Sequence, residues 1–152
     1  MTYEVIGLGT NGVIAALDVK DVHHGAAVTF LDRHARDPLY LPAAVHAEVL
    51  AVPQARLAKR FLEEYRLRPI FAGLEARAAW ELAADRFARY AKNRRKSKGG
   101  VPRRILADFL IGAQMRVSPG IGYTPALATF EGGFFERYFP ELKVYDPAAS
   151  VG

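Results

Sequence analysis

Short apolar runs and longer helical patterns take turns along this chain, and that alternation limits its fold more than any other feature. Strand-like runs fall at residues 3–8, 39–41, 69–71, 126–129 and 142–145. Helical patterns fill 13–17, 23–36, 43–51, 53–65, 74–90, 103–115 and 134–139. Gly7 and Gly9 stop the first strand, and Pro38 and Pro42 bound the second. Asn11 is placed to cap the first helix, and Pro42 suits the opening of the third. The helix over 103–115 gathers Ile105, Leu106, Phe109, Leu110 and Ala113 on one side. Strands separated by helices pair through crossovers rather than hairpins, so the pattern predicts an α/β fold with a mainly parallel central sheet flanked by helices. With 152 residues, no internal repeat and no low-complexity linker, one domain spanning 1–152 is expected.

Composition removes several function classes. The absence of cysteine excludes disulfides, zinc–cysteine sites and cysteine nucleophiles. No apolar run approaches the ~20 residues of a membrane span. The N-terminus lacks the basic start and apolar stretch of a secretory signal. These readings lead to the expectation of a cytoplasmic protein without a membrane partner. The net charge of +5 is local in origin. Lys92, Arg94, Arg95, Lys96, Lys98, Arg103 and Arg104 lie within residues 92–104, which hold no acid, and outside that segment acids slightly outnumber bases. A polyanion such as RNA is the partner that such a patch fits best, with an acidic protein segment as the competitor.

Two readings of the first glycines compete. Gly7-Leu8-Gly9-Thr10-Asn11-Gly12 matches the G-x-G-x-x-G pattern of a nucleotide-binding turn. However, the acid that should end a second strand about 20 residues on falls inside a helix, near Asp32. The other reading joins the same turn to distant acids. Glu48 follows the second strand, Asp108 lies in the first turns of a helix, and Glu131 follows a late strand. In an open parallel sheet these positions face one crevice at the carboxyl ends of the strands. Clustered carboxylates hold Mg²⁺ or Mn²⁺, and two such ions can cleave a phosphodiester.

The order of these pieces resembles the PIN-domain family, in particular the VapC-type toxin ribonucleases. The resemblance runs through Gly9-Thr10-Asn11, where the family has Asp-Thr-Asn, and through His23-His24-Gly25-Ala26-Ala27. It continues in Leu41-Pro42-Ala43-Ala44-Val45-His46-Ala47-Glu48 and Arg103-Arg104-Ile105-Leu106-Ala107-Asp108-Phe109-Leu110-Ile111-Gly112-Ala113. It closes in residues 129–140, from Thr129-Phe130-Glu131-Gly132-Gly133 onward. It implies a three-layer α/β/α sandwich and a ribonuclease of a toxin–antitoxin pair, hydrolysing RNA with a metal-bound water. It further implies one or two Mg²⁺ or Mn²⁺ ions held by Glu48, Asp108 and Glu131, with Thr10 and Asn11 as further site residues. The residues of 92–104 would hold the RNA backbone, a small antitoxin would be a partner, and a homodimer is expected. Two departures stand out. Gly9 replaces the family's first acid, which implies impaired activity, and Glu131 is one methylene longer than the usual Asp.

Each residue also has a structural reading. Glu48 and Asp108 can serve their helix N-termini, Glu131 can be a turn acid, and Thr10 an ordinary turn residue. His23, His24, His34 and His46 lack metal-ligand spacing and read as packing or surface residues. Phe134, Phe135, Tyr138 and Phe139 read as core, and Trp80 as packed inside or at a dimer contact. The alternative functions are a catalytically inactive PIN-fold module that binds RNA or protein and, further off, a nucleotide-binding protein using Gly7, Gly9 and Gly12.

Overall fold

The structure is a computed structural model that describes residues 3–53, 55–70, 76–96, 104–117 and 123–149. Its elements alternate as the sequence predicts: β1 (Tyr3–Leu8), α1 (Thr10–Leu17), α2 (His24–Arg33), β2 (Leu39–Pro42), α3 (Ala43–Leu50), α4 (Ala55–Glu64), β3 (Arg68–Ile70), α5 (Ala76–Lys96), α6 (Leu106–Val117), β4 (Tyr123–Ala128), α7 (Gly132–Tyr138) and β5 (Lys143–Tyr145). The five strands form one parallel sheet in the order β3-β2-β1-β4-β5. Helices cover both faces, giving a three-layer α/β/α fold.

The chain starts in the middle of this sheet. It builds outward through β2 and β3, returns through α5 and α6, and continues on the other side with β4 and β5. The direction of winding therefore reverses between β1 and β4, which pair along Tyr3↔Tyr123 through Leu8↔Ala128. A crevice opens beyond the carboxyl ends of strands at such a reversal, because the following connections diverge to opposite faces.

Side-chain size fixes how closely the layers approach. A β-carbon built on Gly7 would lie 2.3 Å from Met115 Sδ, so the glycine lets α6 settle directly on β1. Its neighbour Leu8 points to the other face, beside Ala27, Phe30 and Leu31 of α2. Along α6, Phe109, Ile111, Ala113 and Met115 are all buried, which makes it an internal helix. An aromatic cluster of Phe87, Tyr90, Phe109, Phe134 and Tyr138 locks α5, α6 and α7 together. In it Phe109 meets Phe134 edge-on at 5.1 Å. The C-terminal aromatics are core, as expected: Phe135, Tyr138 and Phe139 are buried and Phe134 is packed against them. Trp80 is exposed on α5 instead of packing inside.

Several element ends differ from the sequence reading. Asn11 does not cap α1. Gly9 is the N-cap, and Asn11 sits in the first turn, because Gly9 N–H still pairs with Ala128 O at 3.0 Å and the helix begins at the next residue. This one-residue strand-to-helix turn has no room for a phosphate-cradling loop. Met115 fills the space beside Gly7, and a β-carbon at Gly12 would meet nothing within 4 Å, so Gly12 does not serve the close helix–strand packing that the third glycine of the nucleotide-binding pattern provides. The long helix α5 does not stop at Tyr90 but runs to Lys96, since Lys and Arg are good helix formers and cations suit a helix C-terminus. The helix expected from 103 starts at Leu106. At the end of α4, Arg66 takes the left-handed conformation (φ 53°), with Leu67 N–H closing back on Leu62 O at 2.9 Å. Among the described residues, no helix is long and apolar enough to cross a membrane.

Candidate active site

The reversal between β1 and β4 carries a small cleft of about 50 Å³, lined by Gly9, Thr10, Asn11, Glu48, Asp108 and Glu131 together with Ile111, Thr129 and Phe135. Four separate parts of the chain converge there. Gly9, Thr10 and Asn11 come from the turn after β1, and Glu48 comes from α3, which follows β2. Asp108 comes from the first turn of α6, and Thr129 and Glu131 come from the turn after β4. All five residues singled out as catalytic candidates thus line one cleft.

Each acid has a distinct local environment. Glu48 does not stand at the start of its helix, as the sequence reading had it, but near the C-terminal end of α3. A carboxylate there opposes the helix dipole, so it gives the helix no support of its own. It instead accepts a hydrogen bond from the Thr10 hydroxyl at 2.9 Å, which ties the turn after β1 to α3. Asp108 is the third residue of α6, and its Oδ2 accepts the Ile105 N–H at 3.1 Å, the reach-back half of a capping box. Burial pushes its carboxyl above the ordinary aspartate range. The Ile105 N–H and Arg104 oppose that shift, while the charge of Glu131 reinforces it. Glu131 is the N-cap residue of α7 but does not cap it with its side chain. Its carboxylate pairs with Arg104 at 2.9 Å, and its N–H donates to Thr129 Oγ1 at 3.0 Å.

Two residues have roles at this cleft that the sequence did not suggest. Thr129 is buried and shapes the turn that carries Glu131. The signal was present, since a hydroxyl directly after a strand and two residues before an acid favours this turn. Arg104 was read only as part of a basic run, but its guanidinium lies over the Phe134 ring at 4.5 Å while it pairs with Glu131. Of the rest of that run, Lys92, Arg95 and Lys96 are exposed on the last turns of α5 and Arg94 is half-buried; Lys98 and Arg103 lie outside the described residues. The histidines sit elsewhere. His23 stacks on Phe130, His24 bonds Ala15 O, and His34 pairs with Asp37.

As it stands, this donor set does not fit a divalent ion. Among the described residues no three acidic or histidine side chains are arranged to hold a metal. Glu131 is already neutralised by Arg104. Position 9 contributes no side chain, yet nothing in the fold demands a glycine there. Its backbone is extended (φ −76°, ψ 159°), and a β-carbon would meet Thr129 at 3.5 Å, an ordinary contact. The cleft therefore has room for a β-carbon at position 9.

No family model matches the sequence, and no curated protein matches it either. Solved structures do match, along nearly the whole chain. FitAB bound to an IR36 DNA fragment superposes with a TM-score of 0.63 at 19% identity, covering 97% of this chain and 99% of that one. VapBC2 from Rickettsia felis, bound to a DNA fragment from its promoter, gives 0.58 at 18% identity and covers 93% and 97%. FitAcB from Neisseria gonorrhoeae gives 0.57 at 21%, covering 94% and 98%. The fold is that of the PIN-domain structures. The resemblance read from the sequence holds at the level of the fold.

Proposed function

We propose that this chain is a PIN-type endoribonuclease of a toxin–antitoxin pair whose hydrolytic activity is impaired by Gly9. The observation that carries the reading is the convergence of Thr10, Asn11, Glu48, Asp108 and Glu131 around the one position that lacks a side chain, at the reversal of the sheet. The fold's neighbours are toxin–antitoxin complexes, which supports an antitoxin protein as a partner. In this reading Glu48, Asp108 and Glu131 are the acids of an Mg²⁺ or Mn²⁺ site that becomes complete only with a fourth carboxylate. Thr10 orients Glu48, and Asn11 lies at the mouth of the cleft. The bases of 92–104 face the RNA, the working state is a homodimer, and the location is the cytoplasm.

The test is RNA cleavage with Mn²⁺ by three forms: the chain as written, Gly9→Asp, and Gly9→Asp combined with Asp108→Asn. Metal-dependent cleavage is expected from Gly9→Asp, little from the chain as written, and none from the double variant. Absence of cleavage by Gly9→Asp, with the fold intact, overturns the enzyme reading. The second reading, an inactive module that binds RNA or protein through the same fold, is favoured by one contact. The Arg104–Glu131 pair balances charge in the cleft without an ion. Salt-sensitive RNA binding with no cleavage by Gly9→Asp would select it.

A further inference from the structure

A second pocket of about 390 Å³ lies between α5 and α7, next to the acidic cleft. Its polar lining is Asn93, Arg94 and Arg137, and its aromatic walls are Tyr90, Phe134 and Tyr138. No acid is among these lining residues. Arg77, Arg86 and Arg89 of α5 pair with Glu81, Glu141 and Asp85 away from this pocket. Arg137 lies against the Tyr138 ring at 5.4 Å and forms no ion pair among the described residues. Asn93 Nδ2 donates to the Tyr138 hydroxyl at 3.3 Å, which holds the amide at the pocket wall. At Gly133 a β-carbon would meet no atom within 4 Å, so the backbone is open on that side. Phe134 joins the two sites: it walls this pocket and carries Arg104, which pairs with Glu131 of the cleft.

We propose that this pocket binds a backbone phosphate of single-stranded RNA, on the strand whose neighbouring linkage enters the acidic cleft. The proposal rests on the ribonuclease reading and adds a subsite to it, with Arg137 as a residue outside the basic run of 92–104. Guanidinium forks match phosphate oxygens in pairs, which a scattered surface lysine cannot do. The volume suits a nucleotide-sized group. Aromatic walls next to the cations favour a nucleic acid over an acidic peptide, since every base has a face that can stack. The continuity through Phe134 and Arg104 sets the path of the strand, with the anionic linkages passing from one guanidinium to the next.

The experiment measures binding of a short, fluorescently labelled single-stranded RNA in EDTA by anisotropy at several salt concentrations. The proteins compared are the chain as written, Arg137→Ala, Arg137→Lys and Asn93→Ala, each checked for an unchanged melting curve. Arg137→Ala is expected to weaken binding about tenfold, the scale of a lost charged hydrogen bond. It should also flatten the plot of log K against log salt by about 0.7, the change expected for one phosphate contact on a single strand. Arg137→Lys should keep the slope and lose part of the affinity, and Asn93→Ala should weaken binding with little change in slope. Unchanged affinity and slope in Arg137→Ala overturn the proposal. So does an oligoglutamate peptide that binds as well as the RNA and loses affinity equally in that variant, which would assign the pocket to an acidic protein. If Arg137 proves irrelevant while Gly9→Asp still cleaves RNA, the subsite falls and the ribonuclease reading stands. If the subsite holds while Gly9→Asp cleaves nothing, the enzyme reading alone falls.

Discussion

Arg104 and Glu131 close the acidic cleft against each other. The guanidinium meets the carboxylate at 2.9 Å while resting on the Phe134 ring, so one acid of the cleft is already occupied by a cation from the chain itself. Both side chains are about two-thirds shielded from solvent, and an ion pair of this kind is worth up to about 1 kcal/mol. A divalent ion entering the cleft has to displace that contact. In a Gly9→Asp background, Arg104→Gln is therefore expected to raise Mn²⁺ affinity roughly fivefold, measured by titration calorimetry. Unchanged or weaker affinity would show that the guanidinium does not compete with the ion.

The two glycines flanking Leu8 should respond oppositely to a methyl group. At Gly9 the backbone is extended and the nearest atoms lie at 3.5 Å, so Gly9→Ala should leave stability unchanged or raise it by about 0.4–1 kcal/mol through the unfolded chain. At Gly7 the same atom would land 2.3 Å from Met115 Sδ, and Gly7→Ala should cost about 1–3 kcal/mol by overpacking. Urea denaturation midpoints of the two variants decide the matter. Equal effects would contradict the close approach of Met115 to Gly7.

Asp108 gives the site a pH signature. Burial holds its carboxyl above the ordinary aspartate range, so the folded protein retains a proton that the unfolded chain releases. Stability from this group is then full below the ordinary aspartate value and is lost as pH rises through the raised folded value. Asp108→Asn keeps an acceptor for the Ile105 N–H and removes the titration. The variant should gain stability relative to the parent above that window, and the difference should shrink as the pH is brought below it. Denaturation midpoints across an acid-to-neutral series test this, and a difference that stays constant with pH would contradict it.

Arg66 closes α4 in a conformation that glycine adopts without a β-carbon penalty. Arg66→Gly should therefore stabilise the protein by up to about 1 kcal/mol, reduced by the greater freedom glycine has in the unfolded chain. Thermal unfolding reads the change, and a lower melting temperature would mean that the arginine side chain contributes more than its backbone costs.

Much of the fold could be read along the chain. The alternation of apolar runs with helical patterns predicted every strand and helix of the described residues, because burial on both faces of a parallel sheet leaves continuous apolar segments in the sequence. The ends were less legible. Asn11 looked like a cap, yet the cap is Gly9, two residues earlier, since the pairing of Gly9 with Ala128 across the sheet sets where the strand stops. That long-range hydrogen bond leaves no local trace. Glu48 lines the cleft as expected, but it does so from near the end of α3 and not from the helix start that the sequence suggested.

The sequence by itself determined which residue types were available: no cysteine, three acids at the positions where an open α/β sheet has its crevice, and a glycine at position 9, where the PIN-family resemblance implies a fourth acid. These are chemical identities and spacings, which folding does not change. Only the tertiary structure decided who meets whom. It joined Thr10 to Glu48, turned Arg104 from a member of a basic run into the partner of Glu131, and set Arg137 beside Asn93 at a second pocket. Such contacts link residues far apart in the chain, and they follow from how α5, α6 and α7 pack around Phe109, a three-dimensional fit that no local pattern records.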